Sequence, residues 1–341
     1  MFRSDDPGPL LQASAGTASA ATGEAVKGDA AAGPASFRPN FFIVGAPKCG
    51  TTALYRYLAQ HPDVFMPTNK EPKFFCPDLD TGSERDAEVF VRDLESYLAL
   101  FAEANGARCV GEATTFYMYS RDAARNIHAF CPEARIIVML RNPVDVMYAL
   151  HEERLYNGNE DIADFQEALQ AAPERKLGRR LPPRGSVPSF LQYREVVRFS
   201  GQLERYLEQF GRENVHVIIF DDFVRDTEAC YRAVLAFLEL SDSFLPSFEV
   251  VNPSKKLRSR ALAQLMRRPP PGLRSLVRAV LPPKLRLALT QRVRDLNTKR
   301  GARPPLDPEL RRGLLREYRE EVERLGYLIG RDLSRWTAET A

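Results

Sequence analysis

Residues Phe41–Leu58 read FFIVGAPKCGTTALYRYL, and this stretch decides the fold. Phe41–Gly45 is a short apolar run of the kind that forms a buried parallel strand. The segment from Thr51 to His61 follows with helical spacing, Leu54, Tyr57 and Leu58 falling on one face. Between them, Gly45 and Gly50 have the spacing of a phosphate-binding loop, G-x-x-x-x-G-K-[ST]. The lysine is displaced, however: Thr51 holds the expected lysine position and Lys48 lies inside the loop. A loop entering a helix offers backbone N–H groups and the positive end of the helix dipole to an anion. The glycines let the chain approach that anion closely, and Thr51 and Thr52 add hydroxyl donors at the first turn. Lys48 then stands beside the anion, where it neutralises charge on a leaving phosphate as a bond to it breaks. No Mg²⁺ partner in the Walker pattern accompanies the loop, so no metal is expected.

Further strands are expected at 108–113 (RCVGEA), 134–141 (ARIIVMLR) and 214–222 (NVHVIIFDD). Helical stretches at 86–104, 121–130, 144–155, 161–171 and 193–210 separate them. Strands alternating with helices predict an α/β fold, a P-loop-like three-layer sandwich with a central parallel sheet flanked by helices. Residues 1–37, rich in Ala, Gly, Ser and Asp without apolar period, read as a disordered tail. The folded domain is expected over 38–337, with 251–337 as its basic, mostly helical part. Residues 173–190 hold five basic residues, four prolines and two glycines, and read as a long surface loop. From Lys255 to Arg303 there are fifteen Lys and Arg against the single acid Asp295, with proline-rich breaks between short expected helices. Such a stretch suits an anionic polymer or a lipid surface. Residues 307–330 form one amphipathic helical pattern through Leu310, Leu314, Leu315, Tyr318, Val322 and Leu325.

The 341 residues suffice for a large core, and the net charge of +3 gives no footprint for nucleic acid. The five cysteines, at 49, 76, 109, 131 and 230, form no C-x-x-C pair, and no zinc-like cluster accompanies them. Scattered cysteines, no apolar signal segment and no apolar run of membrane-spanning length lead to the expectation of a cytoplasmic protein. A thiol at a helix N-terminus beside Lys48 is expected to have a lowered pKa, which singles out Cys49 for alkylation.

Arg141 ends the third strand, at the edge where open α/β sheets bind ligands, and its guanidinium suits a phosphate. Glu71, in NKEPKFFCP (69–77), precedes a proline and is held in an extended or turn conformation. Set near Phe74 and Phe75, its carboxylate is a candidate general base.

GAPKCGTTALYRYL resembles the 5′-phosphosulfate loop of sulfotransferases that use 3′-phosphoadenosine 5′-phosphosulfate (PAPS). The resemblance implies that Pro47, Lys48, Cys49, Gly50, Thr51, Thr52 and Ala53 hold the donor, with Cys49 where serine is commonest. Arg141-Asn-Pro143 is similar to the family's 3′-phosphate motif. Its usual serine is Ala149 here, so one hydroxyl donor is missing and His151 becomes a substitute candidate. NKEPKFF resembles the glycan-type branch, which implies Glu71 as the catalytic base. GEATTFYMYS (111–120) resembles the next strand end. There Glu112, Thr114 and Tyr117 are candidates for the acceptor pocket, and Tyr117 and Tyr119 are equally candidates for the core. Ala113 stands where glycan enzymes often carry lysine. Phe199 sits where tyrosine is common, and NPSKKLRSRAL (252–262) resembles the loop over the nucleotide, with Lys256, Arg258 and Arg260 as phosphate contacts. The resemblance spans about residues 39–337.

It implies sulfuryl transfer from PAPS to an acceptor hydroxyl or amine on a glycan, lipid or small metabolite, leaving 3′-phosphoadenosine 5′-phosphate (PAP). Two rival readings are an ATP-dependent P-loop kinase with Asp221 or Asp222 on Mg²⁺, and a non-catalytic nucleotide- or glycan-binding relative. Acceptor identity and oligomeric state are not written in the sequence.

Overall fold

Phe41–Gly45 is strand β1, and each of its five residues is buried. Successive strand residues point to opposite faces, so a fully buried strand must be covered on both sides. That position requires neighbours at both edges, and β1 has them. It pairs in parallel with β3 (Cys109–Ala113) through Phe41 opposite Gly111, and with β4 (Arg135–Leu140) through Ile43 opposite Ile137. The structure, a computed structural model, describes residues 37–249 (apart from 85, 87, 88 and 184–186), 255–257, 292, 298–300 and 304–338.

The main sheet has the order β2-β3-β1-β4-β5, with β2 at Val64–Phe65 and β5 at Val215–Ile219, and its pairs are parallel. The chain moves to one side of β1 and then crosses to the other, so the topology reverses between β1 and β4. Ligands in open α/β sheets bind outside the carboxyl ends of the strands at that reversal.

Twelve helices are described: α1 (Thr51–Leu58), α2 (Leu94–Ala99), α3 (Ala123–Phe130), α4 (Pro143–Asn157), α5 (Phe165–Gln170), α6 (Ala172–Lys176), α7 (Tyr193–Val196), α8 (Phe199–Phe210), α9 (Phe220–Arg225), α10 (Thr227–Phe237), α11 (Pro308–Glu317) and α12 (Arg319–Ile329). Helix α4 shows why its ends fall where they do. Asn142 accepts from the Val144 N–H, Pro143 occupies the first turn, and Gly158 closes the helix in the left-handed region. Among the described helices, none is long and apolar enough to cross a membrane.

Several expected elements are revised. The stretch 86–104 yields only α2, because Asp93 caps a short helix and turns precede it. The expected strand 214–222 stops at Ile219, and the FDD segment begins α9. The pattern at 307–330 breaks at Tyr318 into α11 and α12. Within 255–303 the described residues are two short strands, β6 (Lys255–Leu257) and β7 (Thr298–Arg300), paired antiparallel, and the solvated residue 292. The tail 1–36 and the rest of the basic stretch lie outside the described residues.

The segment 173–190, expected as a surface loop, is exposed at 173, 174, 176–180 and 183, but it also carries α6 and a buried arginine. Arg175 on α6 is fully buried and makes two 2.6 Å hydrogen bonds to the Glu160 carboxylate, itself fully buried. Tyr193 donates to the same carboxylate at 2.7 Å, and Glu160 also accepts from the N–H groups of Asp161 and Ile162. A composition rich in Arg and Pro thus conceals a pinned segment that brings Phe190 to the end of α4. Removing one partner of a buried ion pair leaves an uncompensated charge. Arg175→Met is accordingly expected to destabilise the protein by about 3–5 kcal/mol in urea or thermal unfolding.

Candidate active site

A cavity of about 710 Å³ opens at the topological reversal. Its lining comes from the carboxyl ends of four strands. Pro47, Lys48 and Gly50–Ala53 follow β1, Thr115 and Phe116 follow β3, Arg141 follows β4, and Phe220, Phe223 and Thr227 follow β5. Lys70 and Glu71 enter from the loop after β2, and Glu153, Arg154 and Asn157 come from the last turns of α4.

The loop after β1 is held by the Ala46 N–H donating to the Met139 carbonyl at 2.7 Å. Gly50 caps α1 at φ 94°, a left-handed conformation that glycine adopts without strain. Among the described residues, the backbone N–H groups of Lys48, Gly50, Thr51 and Thr52 donate to no backbone carbonyl, and α1 has no side-chain cap. They are a set of unclaimed donors at a helix N-terminus, the arrangement that binds anions. Lys48 is itself at φ 65°, and its ammonium donates to Glu153 Oε1 at 2.7 Å. Cys49 is buried, its Sγ 3.4 Å from the Pro47 carbonyl, and burial pushes its pKa up to about 12 despite Arg141 and Lys48. The expectation of a reactive thiolate is overturned: the loop turns this side chain into the core, and desolvation outweighs the nearby cations.

Arg141 lies 4.6 Å from the Phe220 ring centroid and is only loosely paired with Asp145 at 3.8 Å. Asp145 makes its closer bond, 2.8 Å, to Arg311 of α11. The Arg141 guanidinium therefore remains available to the cavity.

Glu71 sits at φ 65°, with its N–H tied to the Ala113 carbonyl at 3.1 Å. Its carboxylate lies 3.3 Å from Lys70 Nζ and 3.5 Å from Lys73 Nζ, and accepts from Thr115 Oγ1 at 3.2 Å. Burial alone would raise its pKa, but Lys70, Lys73 and the two hydrogen bonds together hold it below the usual carboxylate range. Lys70 also donates to Thr52 Oγ1 at 3.3 Å, so one ammonium joins the β1 loop to Glu71. Lys70 and Lys73 escaped the sequence reading although both stand in the quoted NKEPK; the signal was the pair of lysines flanking the glutamate. Glu153 and Arg154 escaped it too, since nothing in HEERL shows which helical face meets the cavity.

Glu112, Thr114, Tyr117, Ala149, His151 and Phe199 do not line this cavity. Glu112 is fully buried, accepting from Thr114 Oγ1 at 2.6 Å, Tyr117 OH at 2.8 Å and Tyr97 OH at 3.1 Å. None of the four lines the cavity, and burial pushes Glu112 up to about 7. Thr114 and Tyr117 also accept from the N–H groups of Lys73 and Phe75, so the trio props the Glu71 loop from beneath instead of meeting an acceptor. Phe199 is a core residue, and Ala149 is buried on α4. His151 is buried and pairs with the Ile162 carbonyl at 2.9 Å, away from the cavity. Lys256 belongs to β6, while Arg258 and Arg260 lie outside the described residues. Asp221 accepts from Trp336 Nε1 at 2.8 Å and Asp222 is paired with Arg225 and Arg331. Neither lines the cavity, which removes the proposed kinase magnesium ligands.

A family model described as "Sulfotransferase domain" matches residues 38–255. Carbohydrate sulfotransferase 15 of Homo sapiens is 34% identical over 257 residues, covering 59% of this chain and 44% of that protein. Heparan sulfate glucosamine 3-O-sulfotransferase 6 of Homo sapiens is 27% identical, covering 59% of this chain and 52% of that protein. The chain thus spans about half the length of the curated relatives it matches. The crystal structure of a sulfotransferase from Alicyclobacillus acidocaldarius superposes with a TM-score of 0.67 at 32% identity, covering 89% of this chain and all of that one.

The buried position of Cys49 has a direct consequence. In the folded protein at neutral pH, iodoacetamide is expected to label the partly exposed Cys131 and Cys230 first and to leave Cys49 unmodified, as peptide mass mapping would show.

Proposed function

This chain belongs to the sulfotransferase-domain family, and we propose that it transfers the sulfuryl group of PAPS to a hydroxyl on a glycan. The observation that carries the proposal is Lys48, a cation inside a loop of unclaimed N–H donors, lining one cavity with Glu71. The glycan acceptor rests on the carbohydrate and heparan sulfate named for the relatives above.

The residues fit the donor at both of its charged ends. The N–H groups of Lys48, Gly50, Thr51 and Thr52, with the two threonine hydroxyls, receive the 5′-phosphosulfate, and Pro47 and Ala53 shape the walls beside it. Arg141 receives the 3′-phosphate, without a hydroxyl from position 149. The reaction breaks the bond between sulfur and the 5′-phosphate oxygen and forms one between sulfur and the acceptor oxygen. The acceptor proton passes to Glu71, and PAP leaves with the electron pair of the broken bond. Lys48 stabilises the charge that appears on the departing oxygen. Lys70, between Thr52 and Glu71, stands where the sulfuryl group crosses from donor to acceptor. In-line placement and charge stabilisation carry most of the acceleration, as in phosphoryl transfer.

Glu153 opposes the donor. It holds the Lys48 ammonium that the 5′-phosphate requires, so donor binding must part the two. Glu153→Gln is expected to tighten PAP binding several-fold in calorimetry, and the gain should vanish in a Lys48→Ala background.

The proposal itself is tested by transfer of ³⁵S from labelled PAPS to a glycan panel. Lys48→Ala is expected to lower kcat by about 10²–10³-fold, as loss of one oxyanion donor does. Glu71→Gln should lower it by roughly 10²–10⁴-fold while leaving PAP affinity intact. Because Glu71 is held ionised, kcat/KM should be flat from about pH 6 to 8 and fall only as pH drops through and below the ordinary carboxylate range. No transfer to any acceptor by the wild-type chain, with PAP bound normally, would refute the enzymatic reading.

A further inference from the structure

Among the described residues, one cation of the cavity has no ion-pair partner. Arg154 stands in the last turn of α4, its guanidinium carbon 5.5 Å from the Phe116 ring centroid and 5.0 Å from that of Phe190. Its Nε is buried and makes no hydrogen bond. Three acids lie near enough to act on it through space, and each is claimed by another cation. Glu153 pairs with Lys48, Glu71 with Lys70 and Lys73, and Glu160 with Arg175. A partly desolvated guanidinium on aromatic rings gains some cation–π energy, but it still lacks the charged partner that burial calls for.

Nor does the donor supply that partner in the reading proposed above, on which this inference rests. Arg141 precedes the first turn of α4 and Arg154 lies in its last. At about 1.5 Å per residue they are roughly 20 Å apart along the helix, too far to share one phosphate. Lys48 and the loop N–H groups already serve the other end of the donor, and Glu153, once parted from Lys48, keeps a side chain that is 40% exposed, so it is not the desolvated partner that Arg154 lacks. Arg154 shares the cavity wall with Glu71 and Phe116, at the transfer end. We infer that Arg154 receives an anionic group, a carboxylate or a sulfate, carried by the acceptor near the hydroxyl that Glu71 deprotonates. The planar fork of a guanidinium matches either oxyanion in two parallel hydrogen bonds. Phe116 and Phe190 fix its plane beforehand, which makes Arg154 a specificity residue for charged over neutral acceptors.

The test uses a matched pair, 4-nitrophenyl β-D-glucuronide and 4-nitrophenyl β-D-glucoside, which differ in one carboxylate. Binding of each to the PAP-loaded protein is measured by calorimetry for wild type, Arg154→Gln and Arg154→Lys. The wild type should prefer the glucuronide by at least roughly tenfold, the span of one charge-assisted hydrogen-bonded contact. Arg154→Gln should abolish the preference, Arg154→Lys should retain part of it, and PAP affinity should be the same in all three. Equal binding of the two probes by wild type, binding of neither, or a variant that loses both probes and PAP together would overturn the inference. Transfer of ³⁵S is read separately on the same pair. A binding preference without transfer leaves Arg154 assigned and defeats the transferase reading, whereas equal transfer to both probes defeats only the role of Arg154.

Discussion

Parallel pairing of β1 on both of its edges is the constraint on which the molecule depends. A strand buried on both faces can hold no exposed polar side chain, so chemistry is displaced to its carboxyl end. With β3 on one side and β4 on the other, the segments after β2, β3, β4 and β5 all end beside the loop that carries Lys48. The close packing that this requires leaves no room at Gly45, where an added Cβ would lie 2.5 Å from Met118 Cβ. The glycine is thus demanded by the sheet before any ligand is considered.

Within the cavity the charges are arranged in claimed and unclaimed sets. Glu71 is surrounded by two lysines and a threonine hydroxyl, which keep it ionised and fixed while limiting its strength as a base. In the proposed reaction such a base is always ionised and takes the acceptor proton late, once sulfur–oxygen bond formation has acidified it. Lys48 is bonded to the Glu153 carboxylate, which in the proposed reaction yields to the donor. Arg141 and Arg154 rest on aromatic rings, at opposite ends of α4. Among the described residues, beyond the lysines that hold Glu71, three cations line the cavity, Lys48, Arg141 and Arg154, and of these only Lys48 is closely paired with a carboxylate, an arrangement whose field favours anionic ligands.

The strand, loop and helix at 41–58 were legible because their pattern is local: apolar run, two glycines, apolar face. Arg141 was legible for the same reason, standing at the end of a strand. Glu71 could be named but not its surroundings, since Lys70 and Lys73 matter through where the backbone turns at φ 65° and 57°, a feature unwritten in residue type. Cys49 was misread because position beside a lysine says nothing of burial, and burial decides its pKa. Glu112 and Tyr117 were acceptor-pocket candidates only through the resemblance of GEATTFYMYS to the family, with Tyr117 equally a core candidate; in the fold they satisfy each other beneath the site. The ion pair of Glu160 and Arg175 joins residues fifteen apart through tertiary packing, and a stretch rich in arginine and proline gives no hint of it.

In the proposed reaction the ammonium of Lys48, among unclaimed backbone amides, receives the phosphate from which the sulfuryl group departs. A crystal structure of the full chain with PAP tests it most directly. The 5′-phosphate is expected on the N–H groups of Lys48, Gly50, Thr51 and Thr52, with Lys48 turned from Glu153 onto a phosphate oxygen and the 3′-phosphate on Arg141. Nucleotide bound away from this loop, or bound in it with Lys48 still on Glu153, would rule out that role for Lys48.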